Sequence, residues 1–235
     1  MRTNPIVRNA ISHYKKNELI LASKLYSDIL SNEISEAAYY KMLERMCKNK
    51  ELTKVAKGIY CIPNISKYGV VLPSENEIVN AFTKNNTGIT IGYTMYNQLR
   101  LTTQIPKNSE ILSSSLENMS RKIRNVQIKQ VRLHYSEKVK NMINCLEVLQ
   151  NFYTIQDLNH HYFIEFTKDI AANYDAETFQ IVHAEITYKK STIAFLREVL
   201  RYYNIPNNLD KYLSSLSTYK HPRMEELYEA ARASQ

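Results

Sequence analysis

The chain has 235 residues, 44% of them hydrophobic, and a formal charge of +8 from 31 Lys and Arg against 23 Asp and Glu. That is enough apolar material to bury a core in two subdomains, yet no window approaches the ~20 uninterrupted apolar residues of a membrane span. Four glycines exclude a phosphate-cradling loop in practice, and three widely spaced cysteines (Cys47, Cys61, Cys145) argue against a disulfide or metal framework and for a reducing cytoplasm. The amino terminus carries Arg2 but no apolar h-region, so no secretory signal is expected. Charge is uneven along the chain. Residues 1–72 hold 12 Lys and Arg against 6 acids, residues 73–140 hold 10 against 5, and residues 141–235 hold 9 against 12. A positive field confined to the first two thirds favours nucleic acid over a membrane surface as the polyanionic partner.

Asn4 followed by Pro5 predicts a helix start, cap then first turn, with Ile6, Ala10, Ile11 and Tyr14 facing inward and an end near Lys16. Ile20-Leu21 is read as the lead into a second helix, about Ser23 to Leu30, with Leu25 and Ile29 inward. Ser31-Asn32-Glu33 makes the turn and Ile34 a hydrophobic staple.

From Ser35 to Lys48 nothing breaks a helix, and Ser35 is its expected N-cap. At 100° per residue, Tyr39, Leu43, Met46 and Cys47 fall within about 60° of one meridian, a core face. Lys41, Arg45 and Lys48 lie opposite, with the small Ala37 and Ala38 a turn earlier. Small residues let a helix approach a major groove, and the cations meet phosphates or guanine edges. Two strand-like runs follow, Leu52 to Ala56 and Ile59 to Ile62, joined at Lys57-Gly58, where Gly supplies a positive φ. Lys54 and Lys57 would sit on that hairpin as a wing. Three helices and a wing make residues 1–63 a winged helix-turn-helix. Arg45 is the candidate for a base edge, and Lys41, Lys48, Lys54 and Lys57 for phosphates. Ser35 could offer its hydroxyl to a phosphate beside its cap role, and Tyr40 could pack on sugar or a thymine methyl.

Pro63 to Pro73 is read as a connector. Ser74-Glu-Asn-Glu77 is a capping box opening a helix through Phe82, broken at Thr87-Gly88. A short strand at Ile89 to Ile91 leads into a helix over Thr94 to Leu101, and Glu110 to Ser115 and Val126 to Leu133 read as strands. Between them Arg121, Lys122 and Arg124 form a second basic cluster, a solvated loop or a further contact to the DNA backbone. Residues 74–135 are thus a small α/β domain. Residues 136–235 turn helical, with apolar residues at helix spacing in four stretches (Val139 to Phe152, Leu158 to Ile170, Phe179 to Ile186, Ile193 to Tyr203) and two shorter pieces, Tyr212 to Leu216 and Met224 to Ala231. The fold class is α+β, mainly helical.

Ala37-Ala38, Leu43 and Met46, followed by the run Glu51-Leu-Thr-Lys-Val-Ala-Lys-Gly-Ile-Tyr60, resemble the amino-terminal winged helix of AbiEi-type antitoxins, regulators of type IV toxin–antitoxin pairs of the abortive-infection kind. A second likeness is Gly92 to Pro106, whose Leu101-Thr-Thr-Gln-Ile-Pro106 is similar to that family's Leu-Thr-x-Gln-x-Pro turn. The family usually has Gly before that leucine, where this chain has Arg100. The likeness covers roughly the first 135 residues. It implies a bacterial, cytoplasmic transcriptional regulator that binds an inverted repeat at its own promoter as a homodimer, with no cofactor, and a nucleotidyltransferase-like toxin encoded nearby that it counteracts.

Other constellations are weaker. His160-His161 with Glu165 lacks converging third and fourth ligands, so no metal site is expected. Asp169, Asp175, Glu185 and Lys189 have the wrong spacing for a nuclease, and no nucleophile stands in a catalytic context, so no enzyme is expected. Two alternatives remain: a winged helix used as a protein-interaction module, and a metal-dependent nuclease with a DNA-targeting domain.

Overall fold

A computed structural model describes residues 5–116 and 120–233. The protein is mixed α+β, with helix over 51% and strand over 16%, so the mainly helical α+β class read from the sequence holds. It divides into two compact units: residues 1–84 with 122–126, and residues 85–121 with 127–235. The division expected from the sequence is into residues 1–63, 74–135 and 136–235. Ile89, Met95, Leu101, Leu112, Val131 and Tyr135 share one core with the helices beyond Ser136.

In the first unit, α1 (Pro5–Ser12) buries Val7, Ala10 and Ile11. It ends earlier than expected, where the Ser12 hydroxyl donates back to the Asn9 carbonyl at 2.8 Å, and Ile6 is left exposed. The expected cap Asn4 lies outside the described residues. Ile20 belongs to a strand, β1 (Leu19–Leu21), not to a helix lead; full burial beside Tyr60 overrides the local pattern. After α2 (Ala22–Leu25) comes a π-helical turn, Tyr26–Leu30. Its wider step brings Leu30 rather than Ile29 into line with Leu25, so Leu30 is fully buried and Ile29 is 59% exposed. The i+4 rule that placed Ile29 inward fails at that turn.

Next is α3 (Glu36–Lys48), capped by Ser35 Oγ, which accepts from the Ala38 N–H at 3.4 Å. Its core face is Tyr39, Met42, Leu43 and Met46, while Cys47 is half-buried at the edge. Strands β2 (Thr53–Ala56) and β3 (Ile59–Cys61) form the expected hairpin, and β1 joins it in the order β1-β3-β2, all antiparallel. Gly58 turns it with φ 72°; a Cβ there would touch nothing, so backbone conformation alone requires glycine.

Tyr39 ties these pieces together. Its hydroxyl donates to the Ala22 carbonyl at 3.0 Å, and the Ala22 N–H donates to the Gly58 carbonyl at 2.9 Å. The Tyr39 ring stacks on Tyr26 with centroids 5.4 Å apart.

The stretch expected to be a connector holds a hairpin, β4 (Asn64–Ser66) and β5 (Gly69–Val71). Gly69 at φ 114° allows the turn, and Ser66 Oγ donates to the Gly69 carbonyl at 3.1 Å. Two flanking prolines masked Ile65 and Val70-Val71 as strand residues. The capping box is formed as read: Ser74 Oγ accepts from Glu77 N, and Glu77 accepts from Ser74 N at 2.6 Å, opening α4 (Glu75–Thr83). Arg124, in a left-handed turn at φ 52°, donates to the Pro73 carbonyl at 2.5 Å.

A four-stranded sheet has the order β6-β7-β9-β8, from β6 (Gly88–Ile91), β7 (Ser109–Ser113), β8 (Ser120–Ile123) and β9 (Val126–Gln130); it belongs to the second unit except for residues 122–126, the β8–β9 turn and its flanks, which count with the first. Arg121 and Lys122 therefore lie on a strand, where a loop was expected. Ser-Arg-Lys-Ile has no strand signature, and its conformation comes from its place at the sheet edge. The helix after β6 is α5 (Tyr93–Gln98). Arg100 follows it in the left-handed region, φ 61°, with the Arg100 N–H on the Asn97 carbonyl and the Leu101 N–H on the Tyr96 carbonyl, a glycine-type helix stop. Beyond it, Thr102 Oγ1 donates to the Gln156 carbonyl at 2.7 Å, the Asn159 N–H donates to the Leu101 carbonyl at 2.8 Å, and Gln104 reaches Asp157. The Leu-Thr-x-Gln stretch is thus a latch on the chain at 156–159.

Helix α6 (Glu137–Asn151) is the axis of the helical part, with α8 (Ala176–Glu185) and α9 (Lys190–Tyr202) packed on it; α7 (His160–Ala172) packs on α9, and α10 (Met224–Ala233) on α7. Phe152, Phe163 and Phe195 meet at its centre, with centroids 5.0–6.2 Å apart. The Tyr203 hydroxyl lies 3.0 Å from both Thr167 Oγ1 and the Tyr228 hydroxyl, joining α7, α9 and α10. Tyr212 to Leu216 is not a helix: a 3-10 turn ends at Tyr212, and Leu216 is 97% exposed beside a serine-rich run. Burial pushes the Glu147 carboxyl above the usual range, with Glu110 adding to the push and Tyr188 and Lys129 opposing it.

Tyr39→Phe is expected to cost about 1 kcal/mol in urea unfolding, since the Ala22 carbonyl keeps the Tyr26 N–H as a partner. Arg100→Gly should raise the melting temperature, because relief of the left-handed strain, about 1 kcal/mol, exceeds a stacking contact with Tyr162 worth about 0.5 kcal/mol. A carboxyl whose folded pKa is raised loses stability as pH climbs through its unfolded value, so Glu147→Gln should be stabilising at pH 7. In melts run from pH 7 to pH 4 that gain should vanish at the acid end.

Candidate nucleic-acid interface

Helix α3 exposes one face and buries the other because its apolar residues recur at three- and four-residue spacing. Lys41, Arg45 and Lys48 are exposed along one stripe, and Ala37 and Ala38 are exposed at its amino-terminal end. Among the described residues Lys41, Arg45, Lys48 and Lys54 have no ion-pair partner, so no internal carboxylate competes for them. Arg45 and Lys48 also stand in the last turn, where the helix dipole favours cations, and Glu36 stands in the first.

The hairpin is held against a neighbouring face of the same helix through Tyr60. Burial pushes the Tyr60 phenol up, and Cys47, Tyr40 and Glu44, at i, i+4 and i+7 spacing on α3, add to the push. Burial likewise raises the Cys47 thiol, against the pull of Lys54. Lys54, exposed on β2 and paired in register with Tyr60, is thereby placed beside the carboxyl end of the stripe. Lys57 is exposed at the hairpin turn. Tyr40 is half-buried, its ring 5.3 Å from that of Tyr39, and the Ser35 hydroxyl is used as the cap. The first unit holds 15 Lys and Arg against 8 Asp and Glu, a net +7 of the chain's +8.

The second basic cluster is split by role. Lys122 is exposed, Arg121 is half-buried on β8, and Arg124 is bound to the Pro73 carbonyl. Sequence reasoning passed over Lys50, exposed with φ 60° just past α3, which extends the cationic edge; the signal was the Lys48-Asn49-Lys50 run. Among the described residues no three His, Cys, Asp or Glu side chains converge in a way that could hold a metal ion.

No curated protein matches the chain. Residues 7–157 match a family of unknown function, DUF6088. The matched stretch runs from α1 past the end of α6 and includes the latch between Leu101–Gln104 and Gln156–Asp157. Since it spans more than half of the 235 residues, the chain belongs to the DUF6088 family.

Proposed function

We propose that this protein is a non-enzymatic, DNA-binding transcriptional regulator, with α1 to α3 and the β2–β3 hairpin acting as a winged helix-turn-helix. The supporting observation is the exposed, ion-pair-free stripe of Lys41, Arg45 and Lys48 on α3, preceded by two exposed alanines and flanked by Lys54. A recognition helix needs that combination: little bulk where it enters the groove, cations with no internal partner, and a core face that fixes its orientation. The +7 charge of the unit supplies the long-range attraction.

On this reading Arg45 contacts a base edge, and Lys41, Lys48, Lys54 and Lys57 contact phosphates. The likeness to AbiEi-type antitoxins supplies the rest of the proposal: a homodimer in the cytoplasm on an inverted repeat at its own promoter, and a neighbouring nucleotidyltransferase-like toxin as the counterpart. A second reading, a protein-interaction module, has one observation in its favour. The β4–β5 hairpin exposes Ile65, Tyr68, Val70 and Val71 together.

The deciding experiment is a gel-shift titration on the DNA upstream of the gene at several salt concentrations with excess competitor. Four phosphate contacts per copy predict a log–log salt slope of about −3.6 per copy. Arg45→Ala should cost about 1–3 kcal/mol on the cognate site and relax specificity there, whereas Lys54→Ala should weaken all DNA alike and flatten the slope by about one. Cognate binding unchanged in Arg45→Ala would show that the helix is oriented wrongly in this proposal, and no specific complex at low salt would move the function to the protein-interaction reading.

A further inference from the structure

The β4–β5 hairpin alternates as a sheet does when one face is to be covered, yet its apolar face is open to solvent. Ile65 pairs in register with Val70, so the two side chains share that face, and Leu72 is next in the alternation. They are 69%, 52% and 48% exposed, and Tyr68 at the turn is 87% exposed. Asn64, Ser66 and Gly69 lie on the other face, together with Val71. Among the described residues no third strand joins either edge, and a two-stranded hairpin is marginal alone in water. Large apolar side chains gathered in the open over residues 65–72 form a patch of the kind that marks an interaction site.

Charge and area define what fits it. Residues 64–72 carry one charge, Lys67, and no acid. The Lys67 ammonium lies 4.9 Å from the centre of the Tyr68 ring, at the turn and beyond the Ile65–Val70 pair. An acidic partner would find a single cation here, and DNA would find nothing like the stripe of α3. Two copies of a unit that carries +7 repel each other, so they meet most easily where charge is absent, as it is on this face. Ile65, Tyr68, Val70 and Leu72 expose on the order of 500 Å² per copy, and two copies on the order of 1,000 Å², the area at which a specific interface begins. That area suits a weak, reversible dimer.

We propose that the Ile65–Val70 face of β4–β5 is a self-association surface, on which a second copy of this chain lays the same face about a two-fold axis. Ile65, Val70 and Leu72 of each copy pack on those of the other, as the inner faces of stacked sheets do, and Tyr68 closes the edge. This names the contact of the homodimer proposed above and rests on that reading for its role on an inverted repeat. The self-association itself is measured without DNA.

The test is sedimentation equilibrium of the full chain across the micromolar range, at low and at high salt. A monomer–dimer equilibrium with a dissociation constant of about 1–100 µM is expected. Added salt should strengthen it by screening like charges, the opposite of its effect on DNA binding. Ile65→Thr with Val70→Thr keeps the charge and the strand preference, and should weaken the dimer about tenfold or more with an unchanged melt. Leu216→Thr, at a leucine 97% exposed outside the hairpin, should leave the dimer as it is. A parent that stays monomeric throughout the range overturns the proposal and leaves the hairpin to an unlike partner. So does a dimer unchanged in the double variant, or one weakened equally by Leu216→Thr. A parent that dimerises in this way without binding DNA overturns the regulator reading and leaves this surface standing.

Discussion

The first unit depends on one relay. Tyr39 on α3 bonds the carbonyl of Ala22, and the N–H of the same Ala22 bonds the carbonyl of Gly58 at the hairpin turn. One residue at the start of α2 therefore fixes α3 relative to the hairpin, with tertiary contacts that neither element could supply locally. The relay works because the Tyr39 ring is fully buried on the core face, so its hydroxyl has no competing water. The π-helical turn fits the same arrangement: it sets Leu30 into the core that α3 also occupies, and puts Tyr26 against the Tyr39 ring. Every side chain exposed on α3 inherits its direction from this anchoring.

Where local chemistry decides structure, the sequence was readable. Ser35 and Ser74 cap their helices because a hydroxyl or a capping box satisfies orphan N–H groups within three residues, and Lys57-Gly58 turns because only glycine accepts that φ cheaply. The four long helices after Ser136 were legible for the same reason, as apolar spacing alone sets their buried faces. What could not be read depends on pairing at a distance. Leu19 to Leu21 becomes a strand only because β3 is there to receive it, Ser120 to Ile123 only because β9 is, and no propensity marks either. Ile29 was misplaced because a π turn breaks the four-residue step while leaving no residue signature. The α3 stripe was visible as a helical wheel, but the role of Tyr60 in holding Lys54 beside it required the fold.

The second unit is organised by a different device. Arg100 occupies a conformation that suits glycine, and directly after it Leu101 to Gln104 clasps residues 156 to 159 through backbone and side-chain bonds. That clasp joins the link between α5 and β7 to the link between α6 and α7, inside the core that Ile89, Leu112, Val131 and Tyr135 share with the later helices. The match to the family ends at residue 157, at the clasp itself, and α7 to α10 lie beyond it.

The first unit is built from two separate lengths of chain, 1–84 and 122–126, and Arg124 in the shorter one is bound to the carbonyl of Pro73 in the longer. No single cut in the gene can lift this unit out whole. A fusion or recombination event that ends at Lys84 would carry away the helices and hairpins but leave behind the guanidinium that holds the entry to α4. Transfer to another protein would thus require either the intervening strands as well or a substitute for that clamp, and the unit is less freely shuffled than its compactness suggests.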